Sequence, residues 1–367
     1  MSKYRSCHSI EGEIFFNHLN KVGYCCMTTH CGGQPVLYRN YHGEKIDWEE
    51  FLKNREQHIE LMKNGGCLKE CENCTWIAEK DWKERKRAFN YILLNIWVKC
   101  NLFCIYCKNH DNGKPSEVEL NTQEYNIIPV LQDMFEKGMI DENTKIDIAG
   151  GEASLDKNFN ALLDLLLEKG IKNININSNC TIYSPSIEKG IEKGIISVTT
   201  SIDCGTRNLF KYIKKADLWN TVWNVINKYT KGLSKKNNNY VKTKFIVIPG
   251  VNDSKKQIFK YVLMSKLHKV SGVILNIDMH WLSENENDEK KLLNVINLAK
   301  YFIEISKKLK INYKVWYHIE DLIKRYNNNF PNKKIDMDFI YKEPEIEPEK
   351  YDNLFLNYCK FINKFWI

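Results

Sequence analysis

Cys100, Cys104 and Cys107 stand in a C-x3-C-x2-C spacing within Val98-Lys-Cys-Asn-Leu-Phe-Cys-Ile-Tyr-Cys107. Thiolates are soft ligands, and soft ligands favour iron–sulfur clusters or zinc. A structural zinc site takes four ligands, often as two C-x2-C pairs, so a three-cysteine loop leaves it open. The same loop can hold three irons of a cubane cluster while the fourth has no protein ligand. An iron left open in this way can take a small chelating molecule, which makes the cluster a reagent.

The elements that must position this loop follow a regular order. Strand-like runs are expected at 91–98, 145–149, 173–177, 195–202, 241–248, 273–279 and 312–317. Helical patterns lie between them, near 122–137, 157–169, 185–193, 206–213, 217–230, 254–268 and 286–308. Such alternation predicts a parallel sheet with crossover helices. Six or seven repeats predict an α/β fold of the partial (β/α)6 TIM-like barrel type, with its site at the carboxyl ends of the strands. Those ends carry polar groups: Gly150-Gly151-Glu152 after the second strand and Asn177-Ser178-Asn179 after the third. Thr200-Ser201-Ile202-Asp203 ends the fourth, Lys244 to Asp253 the fifth, and Asp278-Met279-His280-Trp281 the sixth. Paired glycines let a ligand approach the backbone, and a carboxylate beside them can accept from an ammonium group.

The cysteine loop, with Tyr106 before its last cysteine, and the Gly-Gly-Glu of the next strand resemble the radical S-adenosylmethionine (radical SAM) superfamily. Ser201-Ile-Asp203 and Ile248-Pro-Gly-Val-Asn-Asp253 are similar to its later strand ends, so the resemblance spans about residues 90–318. It implies a [4Fe–4S] cluster on Cys100, Cys104 and Cys107, with S-adenosylmethionine chelated at the open iron. Reductive cleavage would then give a 5′-deoxyadenosyl radical that abstracts hydrogen from a substrate. Gly150, Gly151 and Glu152 would receive the methionine ammonium, Ser201 and Asp203 the ribose, and Lys244 the carboxylate. Val247 and the backbone near Tyr106 and Met279 would contact adenine, with Asn179 a further cofactor-binding candidate.

The spacing recurs at Cys67, Cys71 and Cys74, but no strand precedes it and no Gly-Gly-Glu follows. With Cys7 and the Cys25-Cys26 pair, it is similar to the SPASM or twitch modules of such enzymes, displaced to the N-terminus. The resemblance implies a second [4Fe–4S] cluster on Cys7, one of Cys25 and Cys26, Cys71 and Cys74, with Cys67 in reserve. Structural zinc on the same thiolates is the alternative. Around these cysteines, 13–16 and 21–24 read as a hairpin and 47–62 as a helix stopped by Gly65-Gly66. The expected organisation is a cysteine-rich α+β module over 1–88, the barrel over 89–318 and a C-terminal extension over 319–367. The Asn237–Asn239 and Asn327–Asn329 runs read as exposed loops, and the aromatic tail from 351 as a helix that packs back.

The chain has 367 residues, 43% hydrophobic and 27% charged, an ordinary globular composition. A net charge of +8 is modest for this length and reads as a solvated surface, so no nucleic-acid role is expected. No apolar run approaches the length of a membrane span, and the N-terminus lacks a signal peptide's apolar core. A cytoplasmic location is expected, where thirteen cysteines point to metal or redox chemistry rather than disulfides. Cys180 and Cys204, at strand ends, read as packed thiols. The sequence has neither a G-x-S-x-G elbow nor a G-x4-G-K-[ST] phosphate loop. The resemblance adds an electron donor of the flavodoxin or ferredoxin type and a peptide, sugar or nucleotide-sugar substrate. A non-catalytic iron–sulfur or zinc module for RNA or a protein partner is the competing reading.

Overall fold

The computed structural model describes residues 3–19, 21–25, 35–39, 45–72, 74, 76–82, 85–107, 110–111, 114–115, 117, 125–231 and 240–341. Cys26, Cys31, Cys359, the Asn237–Asn239 run and the tail from 351 therefore lie outside the described residues.

The chain divides into two units, one of 1–200 with 211–241 and one of 201–210 with 242–367. The first unit begins with β1 (Tyr4–Ser6), α1 (His8–Gly12), β2 (Glu13–Asn17), β3 (Lys21–Gly23), β4 (Val36–Arg39), α2 (Trp48–Lys63) and β5 (Ala78–Lys80). It continues through β6 (Tyr91–Trp97), a β7–β8 pair (His110–Asp111, Lys114–Pro115), α3 (Ile128–Glu136) and β9 (Lys145–Gly150). After these come α4 (Phe159–Glu168), β10 (Asn173–Asn177), α5 (Pro185–Glu192) and β11 (Ile196–Ser201). Helix α6 (Arg207–Lys214) follows, then α7 (Trp219–Lys231).

In this unit β6, β9, β10 and β11 pair in parallel, as their alternation requires. Ile92 and Leu94 on β6, Ile146 and Ile148 on β9, and Ile174 and Ile176 on β10 are buried at every second position. The crossover helices bury the matching stripe: Phe159, Leu162, Leu163, Leu166 and Leu167 on α4 recur at three- and four-residue spacing. Ser184 caps α5 through a bond from Ile187 N, 3.2 Å long. The β2–β3 hairpin is present, and β2 also runs parallel beside β6, with Phe15 opposite Leu93. The N-terminal strands thus extend the sheet that carries the cysteine loop.

The second unit has parallel strands β12 (Val241–Val247), β13 (Gly272–Ile277) and β14 (Tyr313–Val315). Its helices are α8 (Lys255–Leu267), α9 (Met279–Glu284), α10 (Glu289–Lys308), α11 (Tyr317–Asn329) and α12 (Asp338–Tyr341). Strand, helix and parallel strand alternate through both units, the α/β architecture of a partial barrel. The Asn327–Asn329 run is not a loop. It completes α11, where Asn327 donates to Ile335 O (2.9 Å) and accepts from Ile335 N (2.7 Å). That two-way amide bridge gives the polar run a partner inside the helix end. No helix among the described residues is long and apolar enough to cross a membrane.

Burial holds His268, the residue capping the end of α8, down at about 4, against an ordinary 6.5. The folded value lies below the unfolded one, so stability is fully present above pH 6.5 and is lost as pH falls toward 4. We expect urea unfolding to show a loss of about 1–2 kcal/mol over that window, allowing for partial exposure. His268→Gln should flatten this dependence, and an unchanged slope would contradict the assignment.

Candidate active site

The cysteine loop leaves the end of β6 and is held from two sides. On one side, Phe103 N donates to Lys214 O (3.1 Å) and Ile105 N to Ile213 O (3.0 Å). The carboxyl end of α6 therefore lies along the loop like a short clamp. Lys214 is 1% exposed, and its Nζ donates to Tyr106 Oη at 2.8 Å while lying 5.1 Å from that ring's centre. Its side chain fixes Tyr106, the residue before the third cysteine.

On the other side stand the ends of β9 and β10. Gly151 N donates to Trp97 O (2.8 Å) and Glu152 N to Lys99 O (2.7 Å), so the Gly-Gly-Glu segment runs against the lead-in to Cys100. A Cβ on Gly150 would lie 2.4 Å from Trp97 O, and one on Gly151 would lie 2.3 Å from Lys99 O. Gly150 also has φ +116°, a region side chains rarely enter. The chain's own backbone thus demands glycine at both positions.

Glu152 is 1% exposed, and burial raises its pKa above the ordinary carboxylate range. Its Oε1 accepts from Ser154 Oγ (2.6 Å) and Ser178 Oγ (2.9 Å), and its Oε2 accepts from Asn179 N (2.5 Å). The carboxylate therefore ties the end of β10 to the end of β9. Asn179 passes the link on, for its Nδ2 donates to Asn101 Oδ1 (2.7 Å) and points at Cys100 Sγ (3.6 Å). Leu102 N also donates to that sulfur (3.4 Å). Glu152→Gln would face an amide N–H₂ toward a fixed backbone donor. We expect it to cost about 1–3 kcal/mol, read as a lowered melting temperature, and no change would contradict the network.

The three thiols are half-exposed on this loop. Burial pushes the Cys100 thiol up to about 12, with Glu152 and Cys104 adding to the rise. Cluster ligation takes thiolates, so loading releases protons. Among the described residues no three His, Cys, Asp or Glu side chains converge on a single-ion position. A cubane cluster, however, spreads its thiolates around its own body. The N–H donors aimed at Cys100 Sγ are what a cluster thiolate accepts, so the loop fits such a group.

In the second unit, Ser201 is half-buried and Asp203 fully buried. Asp203 takes the left-handed φ of +61°, and its Oδ1 accepts from Ile246 N at 2.7 Å. Asn252 donates to both Asp203 O and Ile246 O (2.7 Å each), while its Oδ1 accepts from Ile248 N (2.7 Å). Lys244 is half-buried on β12, its carbonyl accepting from Ile202 N (2.9 Å), and Val247 is buried at the end of that strand. Met279 opens α9, and its side chain is outside the described set. Trp281 lines an open cavity of about 1040 Å³ with Pro249, Gly250 and Asn294.

The structure gathers the N-terminal cysteines as well. Pairing of β1 with β5 sets Ser6 opposite Ala78, and Cys7 and the turn 67–74 flank that pair. Burial pushes the Cys7 thiol up to about 11, and Cys25 and Cys74 add to it. Cys71 rises to about 12 through burial, with Cys67 next. Beside them the buried Tyr24 hydroxyl is paired with the Cys71 side chain, and His58 Nδ1 is buried with no hydrogen-bond partner among the described residues. Cys180 and Cys204 are fully buried, and Cys204 Sγ donates to Ile202 O (3.4 Å), as packed thiols do.

Sequence reasoning missed Lys214, Asn101 and the roles of Ser178 and Asn252. Lys214 is more than a hundred residues from the loop it fixes, and nothing local marks it. Asn252 sits in the Ile248–Asp253 stretch, and its burial is visible only in the folded chain.

The radical SAM superfamily profile matches residues 94–262. A GTP 3′,8-cyclase of Thermodesulfovibrio yellowstonii is 29% identical over 185 residues, covering 49% of this chain and 53% of that protein. A probable GTP 3′,8-cyclase of Methanocaldococcus jannaschii is 28% identical over 129 residues, covering 35% of this chain and 41% of its own. The chain thus spans about half the length of the curated relatives it matches. Streptococcus suis SuiB bound to precursor peptide SuiA overlays with a TM-score of 0.48 at 13% identity, over 78% of this chain and 57% of that one. The matched segment takes in the cysteine loop, the Gly-Gly-Glu strand end and the strands that follow, so residues 94–262 carry a radical SAM domain.

Proposed function

We propose that Cys100, Cys104 and Cys107 hold a [4Fe–4S] cluster, and that the chain uses it to cleave S-adenosylmethionine reductively and abstract hydrogen from a substrate. The observation that carries this reading is the pair of N–H donors aimed at Cys100 Sγ, on a loop pinned by α6 and the Gly-Gly-Glu strand end. When bound, the cluster supplies the electron and the open iron at which the sulfonium is broken. The protein's part is to orient and to exclude water. The Gly150–Glu152 segment and Asn179 would meet the methionine ammonium side. Ser201 and Asp203 are proposed for the ribose, Lys244 for the carboxylate, and Val247 with the backbone of Tyr106 and Met279 for adenine. Asp203 would act partly through the strand end it holds, since its carboxylate accepts from Ile246 N.

The proposed substrate is a peptide or a sugar-bearing small molecule such as a nucleotide-sugar. The similarity to GTP 3′,8-cyclases puts a nucleoside triphosphate among the first to try. Residues 1–88 are proposed as an auxiliary module, 89–318 as the barrel and 319–367 as an extension, in a cytoplasmic protein. The module would carry a second cluster on Cys7, Cys25 or Cys26, Cys71 and Cys74, with Cys67 in reserve. Support comes from the gathered thiols and from the buried Tyr24 hydroxyl beside Cys71, a donor suited to a cluster sulfur.

Electron paramagnetic resonance of the reduced protein tests the main reading. Adding S-adenosylmethionine should alter the cluster signal, and an unaltered signal would contradict chelation at the iron. Iron and sulfide counts test the module. About eight irons per chain should fall to about four in Cys71→Ala/Cys74→Ala, whereas four in both would remove the second cluster.

A further inference from the structure

The turn after β10 closes a ring of three side chains against the cysteine loop. Asn101 Nδ2 donates to Thr181 Oγ1 (2.8 Å), Thr181 Oγ1 donates to Asn179 Oδ1 (2.6 Å), and Asn179 Nδ2 donates to Asn101 Oδ1 (2.7 Å). Every member gives one hydrogen bond and takes one, so each bond polarises the next. The orientation of the Asn179 amide is set by Thr181 N, which donates to Oδ1 at 2.9 Å and, as a backbone N–H, can only donate. A carboxamide has two acceptor places and two donor places. In Asn179 both acceptor places and one donor place are taken by Thr181 and Asn101. The remaining N–H points at Cys100 Sγ, 3.6 Å away. The main chain of Asn179 is fixed as well, through the bond from its N to Glu152 Oε2. This half-buried side chain therefore has no place left for the methionine ammonium, and one direction in which to act.

We propose that Asn179 is a positioning residue that sets the reduction potential of the cluster on Cys100, with Asn101 and Thr181 holding its N–H on the sulfur. The inference rests on the cluster reading of Cys100, and it moves the side chain of Asn179 from the methionine to the ligand. Hydrogen bonds to ligand sulfurs are one of the levers on a cluster's potential. Reduction adds one negative charge, shared by the thiolate sulfurs, and an N–H dipole aimed at such a sulfur favours the more negative state. The bond thus raises the potential and makes the electron that starts sulfonium cleavage easier to place. A fixed donor does more than a mobile one, because it need not reorient when the charge changes. The ring supplies that fixity. It also ties together the two segments that must keep their register, the loop at Asn101 and the strand end at Asn179.

The test is a redox titration of the cluster-loaded, full-length chain, read by electron paramagnetic resonance in the absence of S-adenosylmethionine. It compares the parent with Asn179→Leu and Thr181→Val. Leucine keeps the shape of the carboxamide and removes its donors, and the main-chain bond to Glu152 is open to both variants. We expect Asn179→Leu to make reduction roughly tenfold less favourable, a fall in midpoint potential of about 59 mV for one electron. Thr181→Val keeps the N–H but frees the amide to turn, and should lower the same constant by about threefold. An unchanged potential in loaded Asn179→Leu would overturn the proposal, and a raised KM for S-adenosylmethionine beside it would return the side chain to the methionine. A loss of iron with a normal potential in the clusters that remain would also overturn it, since that marks a structural role alone. If Asn179→Leu takes up no cluster, Thr181→Val decides by whether its potential falls. The titration contains no S-adenosylmethionine, so failure of the cleavage reading leaves the shift to be read. A parent that takes up no cluster would sink both.

Discussion

Cys104→Ala is expected to purify without the chromophore of the barrel cluster and to form no more 5′-deoxyadenosine than buffer. Losing one outer-shell partner of a metal site costs 10–100-fold in affinity or activity, so losing a ligand should exceed about a hundredfold. The fold should survive, because Cys104 is half-exposed and the loop keeps its bonds to Ile213 and Lys214 through other residues. Circular dichroism and the melting temperature of the apoprotein should match those of the parent. Cys180→Ala is the contrast. That thiol is fully buried, and its replacement should lower stability while leaving the barrel cluster in place. If Cys104→Ala keeps full activity, the loop is not the site.

Gly151→Ala is the second large effect. The added methyl would sit 2.3 Å from Lys99 O and 2.5 Å from Val98 C, both backbone atoms. Neither can swing aside, since Gly151 N and Glu152 N are bonded to Trp97 O and Lys99 O across the same gap. Relief would come only by pulling the lead-in to Cys100 off the strand end, at about 3 kcal/mol or more. We expect a lower melting temperature and poor cluster loading together. Gly170→Ala gives the scale, for it has φ +80° but open space around it. It should cost about 1–2 kcal/mol and leave loading unchanged. Equal effects at the two glycines would contradict the close approach.

Much of this arrangement was legible because its signals are local. Strand-like runs alternating with longer helical patterns marked β6, β9, β10, β11 and β12 and the helices between. The sixth strand was read as running to Met279, yet α9 begins there. The hand-over is made by Asp278, whose N bonds Val247 O while its carbonyl accepts from Leu282 N. The bond to Val247 is a cross-strand contact that periodicity does not carry. The pairing of β2 with β6 was equally hidden, since a hairpin signal says nothing about which edge it joins. Likewise the Gly-Gly-Glu motif was visible, but the backbone that demands its glycines and the serines that take up Glu152 were not. The cysteines were plain from spacing, while the clamp on them comes from Ile213 and Lys214, far along the chain.

The central claim is that the C-x3-C-x2-C loop starts the chemistry by cleaving S-adenosylmethionine. Its most direct test is anaerobic incubation of the cluster-loaded chain with S-adenosylmethionine and dithionite, with 5′-deoxyadenosine and methionine quantified by mass spectrometry. The account expects both products, in equal amounts, to form steadily in the parent and to be absent in Cys104→Ala. No 5′-deoxyadenosine above the Cys104→Ala control would contradict it.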